Sequence, residues 1–304
     1  MVSRRRMLVT GAQGGFVGSR LLPALQKAGH EPIAAAFDLT DFAAVEETLR
    51  AGPWDAIVHL AAISHVPTCE ADPSLAFRVN LAGTAHLLEA MRRHAPGAWL
   101  LFASTAQVYA APDQGEIVHD LVIDEGRRID PQNVYARTKW QAELLIQDAS
   151  RREEMHSTIL RLFNHTHKSQ LSTFFLPHLY KAILDRDRAA ARVRIPVGNL
   201  ELERDLGSLQ DLISAFVSLL EGPLPRSSPE VFNVCSGCAK RLSDVARELA
   251  RQMGVEVAFV TEPDRLRRGE PALVRGSHRR FTERTGWNPA CGDAAQLVQY
   301  FLAD

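Results

Sequence analysis

Two short stretches hold residue types and spacings that can do chemistry. In Tyr135-Ala-Arg-Thr-Lys139 a phenol and an ammonium stand four residues apart, which on a helix places them on one face, one turn apart. A free tyrosine ionises near about pH 10. A neighbouring cation favours the phenolate and lets the hydroxyl exchange a proton during hydride transfer. In Met7-Leu-Val-Thr-Gly-Ala-Gln-Gly-Gly-Phe-Val-Gly-Ser-Arg20 an apolar run meets a glycine cluster and then a helical apolar pattern. Strand, tight turn and helix in that order suit a dinucleotide pyrophosphate, because glycines let the backbone come close and the helix N-terminus offers free N–H groups. Gly11, Gly14 and Gly18 carry one residue more than Gly-x-x-Gly-x-x-Gly, and either Gly14 or Gly15 can be the middle glycine. Ser104-Thr105 ends a strand-like apolar run, putting a hydroxyl at the edge where open parallel sheets bind ligands.

The elements that must position these residues alternate along the chain. A helix over 19–29 leads to a strand over 31–37, and Asp41 reads as the N-cap of a helix running through Leu49. Residues 56–62 form a continuous apolar strand, as expected for a parallel sheet covered on both faces. Helices near 74–80 and 84–94, a strand over 99–104, the helix bearing Tyr135 and Lys139, and a strand over 158–162 continue the series. This predicts an α/β fold with a Rossmann-type, right-handed, doubly wound parallel sheet. Prolines at 177, 196, 223, 225 and 229 weaken the alternation beyond about residue 165. The expected division is a dinucleotide-binding domain over 1–165, to which the chain returns around 205–235. A smaller, mixed substrate-binding domain takes 166–204 and 236–304.

A formal net charge of -1 over 304 residues gives no support to nucleic-acid or anionic-membrane binding. Arg4-Arg5-Arg6 leads straight into the first strand, with no apolar segment long enough for export or spanning. Four cysteines are too few for a disulfide framework. Cys235 and Cys238 read as a strand-end turn, and His165-Thr-His167 is not read as a metal site. The expectation is a cytoplasmic protein without a metal.

The ordered set Thr10-Gly11…Gly18, Asp38-Leu39, His59-Leu-Ala-Ala62, Val79-Asn-Leu-Ala-Gly-Thr84, Ser104-Thr105…Val108-Tyr109, Tyr135…Lys139 and Arg161…Asn164 resembles the extended short-chain dehydrogenase/reductase family. That resemblance implies an NAD or NADP cofactor held by Gly11, Gly14, Gly15, Phe16, Val17, Gly18, Asp38, Leu39, Leu60, Ala61, Ala62, Asn80, Tyr135 and Lys139. It implies that Thr105 binds the substrate oxygen and that Tyr135 exchanges the proton. Lys139 then holds the nicotinamide ribose and keeps the tyrosine pKa low. It also implies a homodimer, or a tetramer of dimers, paired through two helices of each subunit, the Tyr135 helix among them. The choice between NAD and NADP stays open: Ala34-Ala35-Ala36 offers neither an acid nor an arginine at the second strand's end. Arg20, just beyond the last glycine, reads either as a 2′-phosphate contact or as a helix-surface arginine.

Farther along, Val197-Gly-Asn-Leu200, Arg204-Asp205, Val231-Phe-Asn-Val-Cys-Ser-Gly237, Arg267-Arg-Gly-Glu270, Val274-Arg-Gly-Ser-His278 and Thr285-Gly-Trp-Asn-Pro289 are most similar to reductases acting on GDP-linked 4-keto-6-deoxy sugars to make GDP-D-rhamnose. Arg204 and Arg267 can offer guanidinium forks to a diphosphate, Glu270 can accept from ribose hydroxyls, and Asn164 and Lys181 are further substrate contacts on that pattern. His167-Lys168-Ser169-Gln170 stands where the family usually has Gly-Pro-Gly-Gln, so the sugar extends to a close relative. Dehydratases of the family carry carboxyl groups just after the Thr105 equivalent, whereas here Ala106 and Gln107 occupy those places. The reading is a ketone reductase without dehydration. A nucleotide-sugar 4-epimerase that keeps NAD bound and a non-catalytic dinucleotide-binding regulator are the alternatives.

Overall fold

A computed structural model of the chain describes residues 4–111, 122–153, 155–185, 193–225, 229–266, 271–290 and 292–303. The first half alternates: β1 (Arg6–Thr10), α1 (Phe16–Lys27), β2 (Glu31–Ala34), α2 (Phe42–Arg50), β3 (Ala56–His59), α3 (Val66–Ala71), α4 (Pro73–Phe77), α5 (Gly83–His94), β4 (Trp99–Thr105), α6 (Val134–Glu153) and β5 (Ser157–Leu162). The second half runs β6 (Asn164–Thr166), α7 (Phe175–Leu184), β7 (Val193–Val197), β8 (Glu203–Ser208), α8 (Leu209–Glu221), β9 (Glu230–Val234), β10 (Ala239–Arg241), α9 (Leu242–Gln252), β11 (Val257–Thr261), β12 (Leu273–Val274), α10 (Arg279–Thr285) and α11 (Ala294–Ala303).

The six strands of the large sheet lie in the order β2-β1-β3-β4-β5-β9, and every pair is parallel. Successive side chains of a strand point to opposite faces, which sorts the apolar runs into two layers. Met7, Val9, Val58 and Leu101 meet α1 and α8 on one face, while Leu8, Ile57, Leu100 and Phe102 meet α2, α5 and α6 on the other. Strand order reverses between β1 and β3, and the crevice at the carboxyl ends of such strands is the ligand position of open α/β sheets. The glycine turn follows β1 and the Leu60-Ala61-Ala62 stretch follows β3 at that same reversal.

The second lobe is mixed. β8 pairs antiparallel with β10 and parallel with β12 and β6, β7 pairs with β11, and α7, α9 and α11 close a separate apolar cluster. The chain returns to the large sheet through α8 and β9, whereas β8 stays in the small one. Phe281 of α10 and Trp287 pack into the first lobe's core. Among the described residues no helix is long and apolar enough to cross a membrane.

Several boundaries differ from the sequence reading. The strand expected over 56–62 ends at His59, because side chains replace the ladder beyond it: Ala61 N donates to Thr10 Oγ1 (3.2 Å) and Ile63 N to Asn80 Oδ1 (2.8 Å). The strand expected to reach Phe37 stops at Ala34, where its partner β1 has run out. The two helices expected near 74–80 and 84–94 are joined by a π-helical segment, Arg78–Ala82. α1 starts at Phe16, three residues earlier than expected, hard against the glycine turn.

Candidate active site

The glycine turn is built by leaving side chains out. Gly11 sits at φ 70° and Gly14 at φ 77°, conformations that side-chain-bearing residues seldom adopt. A Cβ on Gly11 would stand 2.6 Å from the Ala61 nitrogen, one on Gly15 would meet the Gly11 carbonyl, and one on Gly18 the Ala12 backbone. Gly15 caps α1 without any side-chain hydrogen bond, and the first turn of α1 holds no acid. The leading N–H groups and the positive end of the helix dipole are therefore available to an anion. These residues fit a dinucleotide pyrophosphate. Phe16 stacks at 5.6 Å on His165 from the second lobe, whose imidazole is pushed down to about 4 by burial.

Behind the turn runs a buried polar relay. Thr84 Oγ1 donates to Asn80 O (2.7 Å), so it accepts from His59 Nε2 (3.1 Å), and His59 Nδ1 in turn takes the Thr10 hydroxyl (2.7 Å). That assigns one neutral tautomer, in keeping with a pKa pushed down to about 3 by burial and by the Lys139 charge. Asn80 spends its carboxamide on the backbone: it accepts from Ile63 N and donates to Ile63 O (3.0 Å) and Thr138 Oγ1 (3.0 Å). Asn80 thus pins the segment after β3 to α6.

On α6 the Tyr135 phenol is hydrogen-bonded to Thr105 at the end of β4. Lys139 lies one turn on, 1% exposed, with Nζ 3.8 Å from the centre of the Phe102 ring. Burial brings its ammonium down to about 7, opposed by the Glu143 carboxylate. Burial pushes the Tyr135 phenol up to about 12, and the Thr105 hydrogen bond opposes it. The cause is the enclosure itself, which penalises both charged forms at once. Glu143, fully buried, takes two bonds from Arg161 Nε (3.2 Å each), one from Nη2 (2.8 Å) and one from the Ser104 hydroxyl. The sequence marks His59 and Arg161 only as part of the resemblance, without a role in the site, and Glu143 not at all. The available signal was Glu143 at the next four-residue step after Tyr135 and Lys139, and a lone arginine in an apolar strand.

The remaining expected residues are dispersed. Asp38 is exposed, with its carboxyl held below the usual range by the Thr40 N–H and hydroxyl. Leu39 is buried against Gly83 and its carbonyl meets His86 Nδ1 (2.8 Å). Arg20 is exposed on α1. It lines a groove between α1 and α8 with Ala24, Lys27 and Val217, because its helical phase follows the α8-facing stripe. Asn164 and Lys181 are exposed on β6 and α7. Arg204 is buried with Nη1 on the carbonyls of Glu203 (2.9 Å) and Pro271 (2.8 Å). Arg267 and Glu270 lie outside the described residues. In the 167–170 loop, His167 Nδ1 accepts from Ser169 N (3.1 Å). Gln170 joins His167 N (3.0 Å) to His165 O (3.2 Å). Side chains thus close this turn.

The family model described as GDP-mannose 4,6 dehydratase matches residues 34–299. The chain is 32% identical over 291 residues to a GDP-6-deoxy-D-mannose reductase of Pseudomonas aeruginosa, covering 94% of this chain and 92% of that one. It is 26% identical to a UDP-glucose 4-epimerase of Lactobacillus helveticus, covering 93% and 92%. The solved structure of RMD from Pseudomonas aeruginosa complexed with NADPH superposes with a TM-score of 0.86 at 29% identity, covering 98% of both chains.

Proposed function

The chain belongs to the GDP-mannose 4,6-dehydratase family, and from that premise we propose that it delivers a hydride from NAD(P)H to the C4 ketone of a GDP-linked 4-keto-6-deoxy sugar, giving GDP-D-rhamnose or a close relative. The family comprises NAD(P)-dependent nucleotide-sugar enzymes of the extended short-chain dehydrogenase/reductase type. The bound dinucleotide supplies the hydride. Tyr135 gives its proton to the C4 oxygen, and Thr105, hydrogen-bonded to Tyr135, holds that oxygen in line. Lys139 holds the nicotinamide ribose and returns the proton to the phenol. One observation carries the reading: the hydrogen-bonded Thr105–Tyr135 pair stands one helical turn from a buried Lys139, and Ala106 and Gln107 next to Thr105 have no group to move the C5 proton or expel the C6 hydroxyl. Gln107 is instead tied to Asn133 Nδ2 (2.9 Å).

In this reading the glycine turn, Asp38, Leu39 and the 60–62 stretch hold the dinucleotide in the first lobe. Asn164, Lys181, Arg204, Arg267 and Glu270 hold the GDP-sugar from the second. Leu144 and Leu145 stay exposed on the outer face of α6, which supports pairing of two subunits through that helix. A GDP-deoxysugar is a glycosyl donor, so the product serves polysaccharide assembly from the cytoplasm.

Mixing the protein with NADPH or NADH and a GDP-linked 4-keto-6-deoxy sugar should remove reduced-nicotinamide absorbance in proportion to the ketone, with UDP- and dTDP-linked ketones slower. No loss with any ketone sinks the proposal, and interconversion of C4 epimers without net loss selects the 4-epimerase.

A further inference from the structure

We propose that Glu143 is the positioning residue of the catalytic couple, locking the Tyr135–Lys139 face of α6 onto β4 and β5 and holding the ammonium charge beside the phenol. The proposal rests on the reading of Tyr135 and Lys139 as the proton-exchanging pair. Tyr135, Lys139 and Glu143 follow one another at four-residue steps of one helix, so they form a single stripe. The far side of the carboxylate is saturated by Ser104 and Arg161, which face each other in the β4–β5 register. One carboxylate therefore ties a helix to two strands. The chain of bonds continues outward. Arg161 Nη1 donates to the Tyr109 hydroxyl (3.1 Å), which donates to Asn233 Oδ1 (2.6 Å), and Asn233 Nδ2 donates to Ile123 O (3.0 Å). The stripe is thereby fixed to β9 and to the Ile123 backbone.

The groups around Lys139 define what Glu143 does electrically. Tyr135 and Glu143 face it on α6. From β3 comes His59, kept neutral by burial and by Lys139 itself. From β4 comes the face of Phe102, and on β5 Arg161 stands behind Glu143. Cys69 of α3 faces Tyr135, its thiol raised by burial. Glu143 alone among these raises Lys139 against the burial that brings it to about 7. Its near side serves the ammonium and its far side serves the scaffold.

A plain strut between helix and sheet makes a different prediction, so the pH dependence of kcat tests the proposal. Protonated Lys139 drives the reduction, so the rate falls as pH rises through its titration. In the full-length protein, saturated with NAD(P)H and ketone, Glu143→Gln removes the carboxylate and leaves the Arg161 cation. The basic limb of kcat then moves down by about one pH unit, a tenfold loss on the alkaline side for each unit, with a smaller loss below the limb. Arg161→Met removes the opposing cation and moves the limb up. Should Glu143→Gln not accumulate as folded protein, Glu143→Asp keeps the charge but draws it back by one methylene, and its limb moves down by less. Limbs that stay in place while kcat drops evenly across pH make Glu143 a strut and overturn the proposal. The underlying reading fails separately, if Tyr135→Phe keeps its turnover.

Discussion

The β1–α1 turn and the inner face of α6 stand at the same edge of the large sheet and are built by opposite means. The turn offers bare backbone: Gly11, Gly15 and Gly18 leave no room for a Cβ, and no side chain caps the helix that follows. The α6 face offers side chains enclosed so fully that their charges depend on one another, with Lys139 and Glu143 1% and 0% exposed. Backbone N–H groups do not titrate, so the turn's contribution is indifferent to pH and sensitive to volume. The α6 face is the reverse. One polar relay, from Thr10 through His59, Thr84 and Asn80 to Thr138, holds the two at a fixed spacing.

The largest expected effect falls on the α6 face. Tyr135→Phe removes the proton donor with little change in volume, and loss of a general acid costs about 10²–10⁴ in rate. Turnover should drop by that factor with dinucleotide affinity near wild type. More than about half of wild-type turnover would mean that Tyr135 is not the acid.

On the turn, two glycines at positive φ should part company. Gly11→Ala meets both the left-handed backbone and the Ala61 nitrogen, whereas Gly14→Ala has open space around it and carries only the backbone strain, about 1–2 kcal/mol. Titration of protein fluorescence should place Gly11→Ala at least about tenfold weaker for dinucleotide, near 1.4 kcal/mol, with Gly14→Ala affected less. Equal losses would remove volume from the account.

The relay between them is next. Asn80→Ala strands the Ile63 N–H, while the Ile63 carbonyl keeps the Cys69 thiol, and an unsatisfied buried group costs about 1–3 kcal/mol. A urea midpoint equal to wild type would show that another group satisfies Ile63.

A stability difference that changes with pH tests the buried charge itself. The Lys139 ammonium is lowered from 10.5 to about 7 in the fold. Below pH 7 both folded and unfolded chains carry the proton, and burial of the charge is at its full cost. Between about 7 and 10.5 the unfolded chain binds more protons than the folded one, so stability rises with pH. Lys139→Met should therefore raise the melting temperature most below pH 7, and its advantage should fade toward pH 10.5. An advantage constant with pH contradicts the buried-charge account.

The contrast also explains what the sequence made legible. Glycines at fixed offsets and continuous apolar runs reveal a turn and a covered parallel sheet, because both are local patterns. Residues 56–62 read as one strand although the sheet stops at His59, since the hydroxyl and carboxamide that take over come from Thr10 and Asn80, far away in the chain. The π-helical turn that aims Asn80 has no local signature. Arg204 reads as a guanidinium fork, and the Pro271 carbonyl that β8–β12 pairing brings to its Nη1 is not legible in the sequence. Lys139 reads as a cation beside the tyrosine, and the burial of both groups is visible only in the fold.

The central claim is net hydride delivery to a C4 ketone with no dehydration, and a deuterium transfer experiment meets it head on. NAD(P)H labelled in its transferable position is incubated with a GDP-linked 4-keto-6-deoxy sugar, and unlabelled dinucleotide is incubated with GDP-mannose alone. The account predicts one deuterium at C4 of the product, one dinucleotide oxidised per sugar reduced, and no product from GDP-mannose. A 4-keto-6-deoxy sugar formed from GDP-mannose, or a label-free product with the dinucleotide unconsumed, would contradict it.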